Sequence, residues 1–181
     1  MHAVVSREPI VLVPYDPEWP RRFETERAVL ERLLAPWLDA GIHHIGSTAI
    51  PGVAAKPVID MLAGVRDLAE ARAAFGPLRE ASFYFVPHRA EEAHHFAKPS
   101  LRLSEATHGL HLTQPGSDLW RERLAFRDAL RADPGLAAEY QALKLRLAED
   151  DLKGGTSYTA AKRPFVARVL ASAGIRLRPY G

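Results

Sequence analysis

Apolar positions recur along this chain in two rhythms, and the change between them divides it. Residues 8–16, "EPIVLVPYD", read as a short strand. Residues 16–39 read as a helix, with Asp16 as N-cap and Pro17 in the first helical position. Phe23, Leu30, Leu33, Leu34 and Trp37 recur at helical spacing as a buried stripe, and Gly41 ends the unit. "IHHI" is then a short strand running into Gly46, and "KPVIDMLAGV" is the next strand. Period-two alternation places Val58, Asp60 and Leu62 on one face and Ile59, Met61 and Ala63 on the other. Residues 66–82 read as an amphipathic helix with Leu68, Phe75 and Leu78 inward. "FYFVP", "AHHFAKP" and "THGLHLTQP" are three further strands on short connections, the pattern of an antiparallel meander.

After Pro115 only the helical period remains, over residues 117–134, 135–152 and 157–174. Pro164 lies inside the last of these and either kinks it or marks an earlier break. There is no internal repeat and no low-complexity linker. The simplest account is one α+β domain over 1–181, with an α/β part over 1–115 and a helical part over 116–181.

Composition narrows the chemistry. The 24 basic and 22 acidic side chains nearly cancel, which argues against a nonspecific nucleic-acid or membrane binder. The absence of cysteine excludes disulfides, thiolate metal sites and cysteine nucleophiles. No signal peptide and no membrane-length apolar run is visible, so a cytoplasmic location is expected.

Candidate chemistry begins at "IGSTAIPG". Gly46 lets a ligand approach the backbone, and Ser47 and Thr48 supply hydroxyls; such a turn cradles phosphate or merely turns the chain. Asp60 stands in the middle of an apolar run, where an ionised carboxylate is costly unless paired, hydrogen-bonded or metal-bound. That makes it a site candidate beside the alternative of a carboxylate capping nearby N–H groups.

Of the eight histidines, six cluster at "IHH", "AHH" and "THGLH", with no standard zinc spacing. His111 shares the face of Thr107 and Thr113 and is expected to face the site, whereas His108 shares the face of Leu110 and Leu112. A neutral imidazole there serves as metal ligand, general base or phosphate donor. Two Tyr-x-x-x-Lys pairs, Tyr140 with Lys144 and Tyr158 with Lys162, each lie on one helix face. Each is either a ring covered by an aliphatic stem or part of a cationic wall near phosphate. With only five lysines in the chain, Lys56, Lys98, Lys144 and Lys162 are noted as phosphate candidates.

"HHIGSTAIPGVAAKPVIDMLAGV" resembles the signature region of the GrpB family of bacterial proteins, and the likeness continues through "IVLVPYDPEWPRRFETE", the histidine strand, the Phe-Arg-Asp helix and "SYTAAKRPFVARVL". The resemblance implies the fold of the polymerase-β-like nucleotidyltransferases: a mixed or antiparallel sheet with flanking helices. In that superfamily a Gly-Ser turn holds a nucleoside triphosphate, and a downstream strand carries two carboxylates one residue apart. Gly46 and Ser47 match the turn, and Asp60, with twelve residues between it and Ser47, matches one carboxylate. The second carboxylate is missing, because Leu62 follows and Val58 precedes at that spacing, and His111 stands where a later acid is expected. Magnesium prefers carboxylate oxygens, so Asp60 with His111 makes a thin magnesium site: the pair either serves a softer metal such as manganese or zinc, or marks metal-dependent catalysis that has been lost or changed.

Three functions follow as expectations. The first is transfer of a nucleoside monophosphate from a nucleoside triphosphate to an acceptor, with Asp60 and His111 catalytic and metal-binding, and with phosphates held by Gly46, Ser47, Thr48, Lys56, Lys98, Lys144 and Lys162. The second is a non-catalytic module for a nucleotide or coenzyme A-related phosphometabolite, since such domains also occur fused to dephospho-coenzyme A kinase. The third is a histidine-based metal enzyme using His94, His95, His111 and Asp60.

Overall fold

The computed structural model describes residues 10–87, 92–102, 104–152 and 158–178. Among the described residues, five strands form one sheet in the order β1-β2-β5-β4-β3. They are β1 (Leu38–Ile45), β2 (Ile59–Val65), β3 (Tyr84–Val86), β4 (His94–Lys98) and β5 (His108–Thr113). The β3-β4-β5 stretch is the expected antiparallel meander, and β1 pairs antiparallel with β2. The β2–β5 pairing is parallel, with Asp60 opposite Gly109 and Leu62 opposite His111. The sheet is therefore mixed, flanked by helices, in an α+β arrangement.

One sheet face is apolar. Ile42, Ile59, Met61, Ala63, Val65, Phe96, Leu110 and Leu112 bury against α1 (Trp19–Leu34) through Trp19, Phe23, Leu30 and Leu34, and against Leu78 of α2 (Phe75–Glu80). The alternation expected for β2 holds, so Asp60 and Leu62 take the opposite face. That face receives α3 (Asp118–Ala132), whose N-cap is Ser117: its hydroxyl accepts from the Trp120 N–H at 3.2 Å. Trp120 lies against Gly64, where a Cβ would come within 3.0 Å of the indole. α4 (Pro134–Leu152), α5 (Tyr158–Ala161) and α6 (Arg163–Ser172) complete the helical part. Among the described residues, no helix is long and apolar enough to cross a membrane.

Several boundaries differ from expectation. Residues 1–9 lie outside the described residues, and over 10–16 the expected strand is a single bridge, Val13 to Ala55. α1 starts at Trp19 rather than Pro17; Asp16 instead accepts from the Glu18 N–H at 2.9 Å in the preceding turn. Its end is Leu34, because Pro36 has no N–H with which to continue the ladder, and β1 begins at Leu38. Gly41, with φ +72°, sits inside β1 at an irregularity between Leu38 and Ile42. The helix expected over 66–82 is a 3-10 turn, Glu70–Ala74, followed by α2, since Pro77 removes one helical donor. The last helix breaks at Lys162, and Pro164 occupies the first turn of α6, where its missing N–H is harmless.

Candidate functional site

The site grows from the end of β1. Gly46 leaves the strand with φ +71°, and a 3-10 turn, Ser47–Ala49, follows. A Cβ on Gly46 would stand 2.8 Å from Asp60 Oδ2, and one on Gly109 would stand 2.6 Å from Asp60 Oδ1. The carboxylate thus lies between two bare backbones, and neither position tolerates a side chain while Asp60 stays where it is. Burial pushes the Asp60 carboxyl up to about 6, against the pull of Arg123, Lys162 and Lys56.

Around Asp60 the chain forms a cleft of about 320 Å³. Asp60, His95 and His111 give its floor, and Arg123, Tyr140 and Lys162 its polar wall. His95 and His111, cross-strand partners, stack at 4.3 Å with planes 5° apart. Phe126 and Ile50 supply apolar surface. The buried Tyr140 hydroxyl is hydrogen-bonded to the Ser47 side chain, and burial raises its pKa. Glu92 and Glu122 also line the cleft, but both are engaged by Arg178: Glu122 accepts from its Nε at 3.1 Å and Glu92 makes a second ion pair.

The two Tyr-x-x-x-Lys pairs meet here. Lys162 Nζ lies 4.3 Å from the centroid of the Tyr158 ring and Lys56 Nζ 5.8 Å from it, while Lys144 Nζ lies 4.9 Å from that of Tyr140. Burial lowers Lys162 to about 8, with Lys56 and Arg123 lowering it further and Asp60 opposing. Burial and then Lys162 lower Lys144 to about 7.

Of the residues singled out in the sequence, the structure brings together Gly46, Ser47, Asp60, His111 and Lys162 on the cleft, with Lys56 beside them. Thr48 is turned away: it donates to the Val58 carbonyl at 3.1 Å and accepts from His44 at 2.9 Å. His44 is held neutral, its pKa lowered to about 4 by burial and then by Arg131 and Arg127. Lys144 lies behind the wall and donates to the Ala54 carbonyl. Lys98 is on the opposite sheet face, paired with Glu26 at 2.8 Å, so it does not reach the cleft. His108 is there too, 3.9 Å from Glu26, as its face predicted. His94 also belongs to the core face, buried and donating to the Leu68 carbonyl at 2.7 Å, and cannot join His95 and His111 around one ion.

Arg123 is not among the residues singled out in the sequence, Tyr140 enters there only as the partner of Lys144, and His95 only in the histidine-based metal enzyme. The signal for Arg123 was available: Arg123, Arg127 and Arg131 recur every four residues, one stripe of α3. Arg127 donates to the His44 carbonyl at 3.2 Å and Arg131 to that of Ala49 at 2.8 Å, which fixes α3 against the Gly-Ser turn.

The donor set does not fit a magnesium ion. Among the described residues no three carboxylate or imidazole side chains converge as a metal site. The buried Leu62 takes the place of a second carboxylate, and the carboxylate present faces three cationic side chains.

A family model described as "GrpB protein" matches residues 9–172. The glutamate-rich protein GrpB of Alkalihalophilus pseudofirmus is 36% identical over 169 residues, covering 92% of this chain and 97% of that protein. A dephospho-CoA kinase of Mycolicibacterium paratuberculosis is 33% identical over a match that spans 89% of this chain but 45% of the kinase. Among solved structures, GrpB from Enterococcus faecalis superposes with a TM-score of 0.79 at 26% identity, covering 90% of this chain and 96% of that one.

Proposed function

The chain belongs to the GrpB protein family, and we propose that it acts as a nucleotidyltransferase: it binds a nucleoside triphosphate in the cleft and passes the nucleoside monophosphate to an acceptor. The observation that carries this reading is the Asp60 carboxylate, held between Gly46 and Gly109 and facing Arg123 and Lys162. Phosphate oxygens suit those two cations, and the apolar wall of Phe126 and Ile50 suits the remainder of a nucleotide.

In the step proposed, an acceptor hydroxyl oxygen attacks the α-phosphorus. The bond from that phosphorus to the α–β bridging oxygen breaks, and pyrophosphate leaves with the electron pair. The hydroxyl proton passes to Asp60. A carboxyl held at about 6 is largely ionised at neutral pH and remains basic enough to take a proton. His111 and its stacked partner His95 lie on the same floor as a second proton acceptor. Arg123 and Lys162 meet charge developing on the leaving group.

The test supplies α-labelled nucleoside triphosphates with pooled small-molecule acceptors and follows label transfer, alongside thermal shifts. Saturating nucleotide at about 100 times its dissociation constant should stabilise the protein by about 2.7 kcal/mol. Label transfer is expected for the wild type and lost in Asp60→Asn, which keeps the side-chain shape. Stabilisation with the nucleotide returned unchanged would favour a binding module for a phosphorylated metabolite. If no triphosphate stabilises the protein, the transferase reading fails.

A further inference from the structure

The charges around the cleft do not balance. Asp60 lines the cleft together with Arg123 and Lys162, and Lys56 lies beside Lys162 over the Tyr158 ring. The other two wall carboxylates, Glu92 and Glu122, are taken by Arg178. Lys56 Nζ and Lys162 Nζ lie 5.8 Å and 4.3 Å from the centroid of the same Tyr158 ring, within electrostatic range of one another despite like charge. Such an arrangement is costly without an anion. A dication added beside Asp60 would meet one carboxylate and three positive groups within electrostatic range.

We propose that the cleft takes its polyphosphate ligand as the metal-free anion, with Arg123, Lys162 and Lys56 meeting the charge that a divalent cation would otherwise meet. This rests on the reading of the cleft as a nucleotide site and specifies the ionic form of the ligand. Two features of the fold build the anion site. Residue 162 falls at the break between α5 and α6, and Arg123 stands one helical turn before Arg127, which with Arg131 binds the carbonyls on either side of the Gly-Ser turn. A magnesium complex of the same ligand carries less negative charge and brings a cation toward these groups, so it should bind more weakly.

The experiment is calorimetric titration with ATP and with inorganic tripolyphosphate, each in excess chelator and in excess magnesium. The expected result is binding in chelator at least as tight as in magnesium. Lys162→Gln and Arg123→Gln should each weaken it by about tenfold or more, the loss of one charge-assisted contact. Arg32→Gln, an exposed charge on α1, is the control and should leave it unchanged. Circular dichroism certifies that each variant is folded, and the two cleft variants test the same site independently. Binding that appears only with magnesium would overturn this inference and leave the nucleotide reading standing. Binding in chelator that ignores both cleft variants would also overturn it. No binding of either probe under any condition would overturn the nucleotide reading as well.

Discussion

Asp60 is the residue at which stability and function pull apart. Its carboxyl titrates at about 6 in the folded protein against an ordinary 3.8. The folded state therefore holds a proton that the unfolded state has released between those values, and stability falls as pH rises through that window. A shift of this size corresponds to about 3 kcal/mol at neutral pH. Asp60→Asn should then be more stable than wild type at pH 7, by up to about 3 kcal/mol. The difference should close below about pH 4, where the carboxyl is protonated in folded and unfolded chains alike. Urea midpoints across that pH range measure it, and an Asn variant less stable than wild type at pH 7 would show that the carboxylate stabilises the fold instead. Such a gain with lost activity is the pattern of a residue kept for chemistry rather than for packing.

At the level of elements, α3 is the piece that makes the site. Arg127 and Arg131 bind the carbonyls on either side of the Gly-Ser turn, and the same stripe delivers Arg123 to Asp60. Arg131→Met removes the donor to the Ala49 carbonyl and should cost about 1.5–3 kcal/mol in urea unfolding. Nucleotide affinity should fall with it, although Arg131 touches no ligand in the proposed site; unchanged affinity at reduced stability would show that the turn holds its shape without α3. Much of this was legible in the chain. The Gly-Ser turn, the face of Asp60 on β2 and the inward-facing His111 followed from spacing and alternation, because those are local properties. The β2–β5 pairing was not, since a parallel pair between distant strands leaves no local mark. Lys98 was misplaced for a related reason: lysine scarcity says nothing about which sheet face a strand residue takes, and Glu26, its partner, is 72 positions away. Gly109 did carry a signal that went unused, as glycine inside a strand marks a close approach, here by the Asp60 carboxylate.

For the whole molecule, the question is whether the helical part could stand apart from the sheet. Its core says otherwise. Ile50 and Val53, from the loop after the Gly-Ser turn, pack with Leu130, Ala137, Tyr140, Phe165 and Val169 of the helices. Glu92, just before β4, and Glu122, on α3, share the Arg178 guanidinium near the end of the chain. Removing that cation leaves the buried Glu122 carboxylate only the Arg178 backbone N–H, which donates to it at 2.9 Å, so Arg178→Met should cost about 3 kcal/mol. Adding Glu122→Gln should recover part of the loss, because the stranded charge goes with it. The cleft walls come from both parts, and the same contacts that close it tie the parts together. The protein should accordingly unfold in one transition, with the tryptophan near-ultraviolet signal and the far-ultraviolet helical signal sharing a midpoint. Two separate midpoints would mean that the helical wall can leave while the sheet remains, and that Lys162 and Tyr140 reach Asp60 only in part of the population.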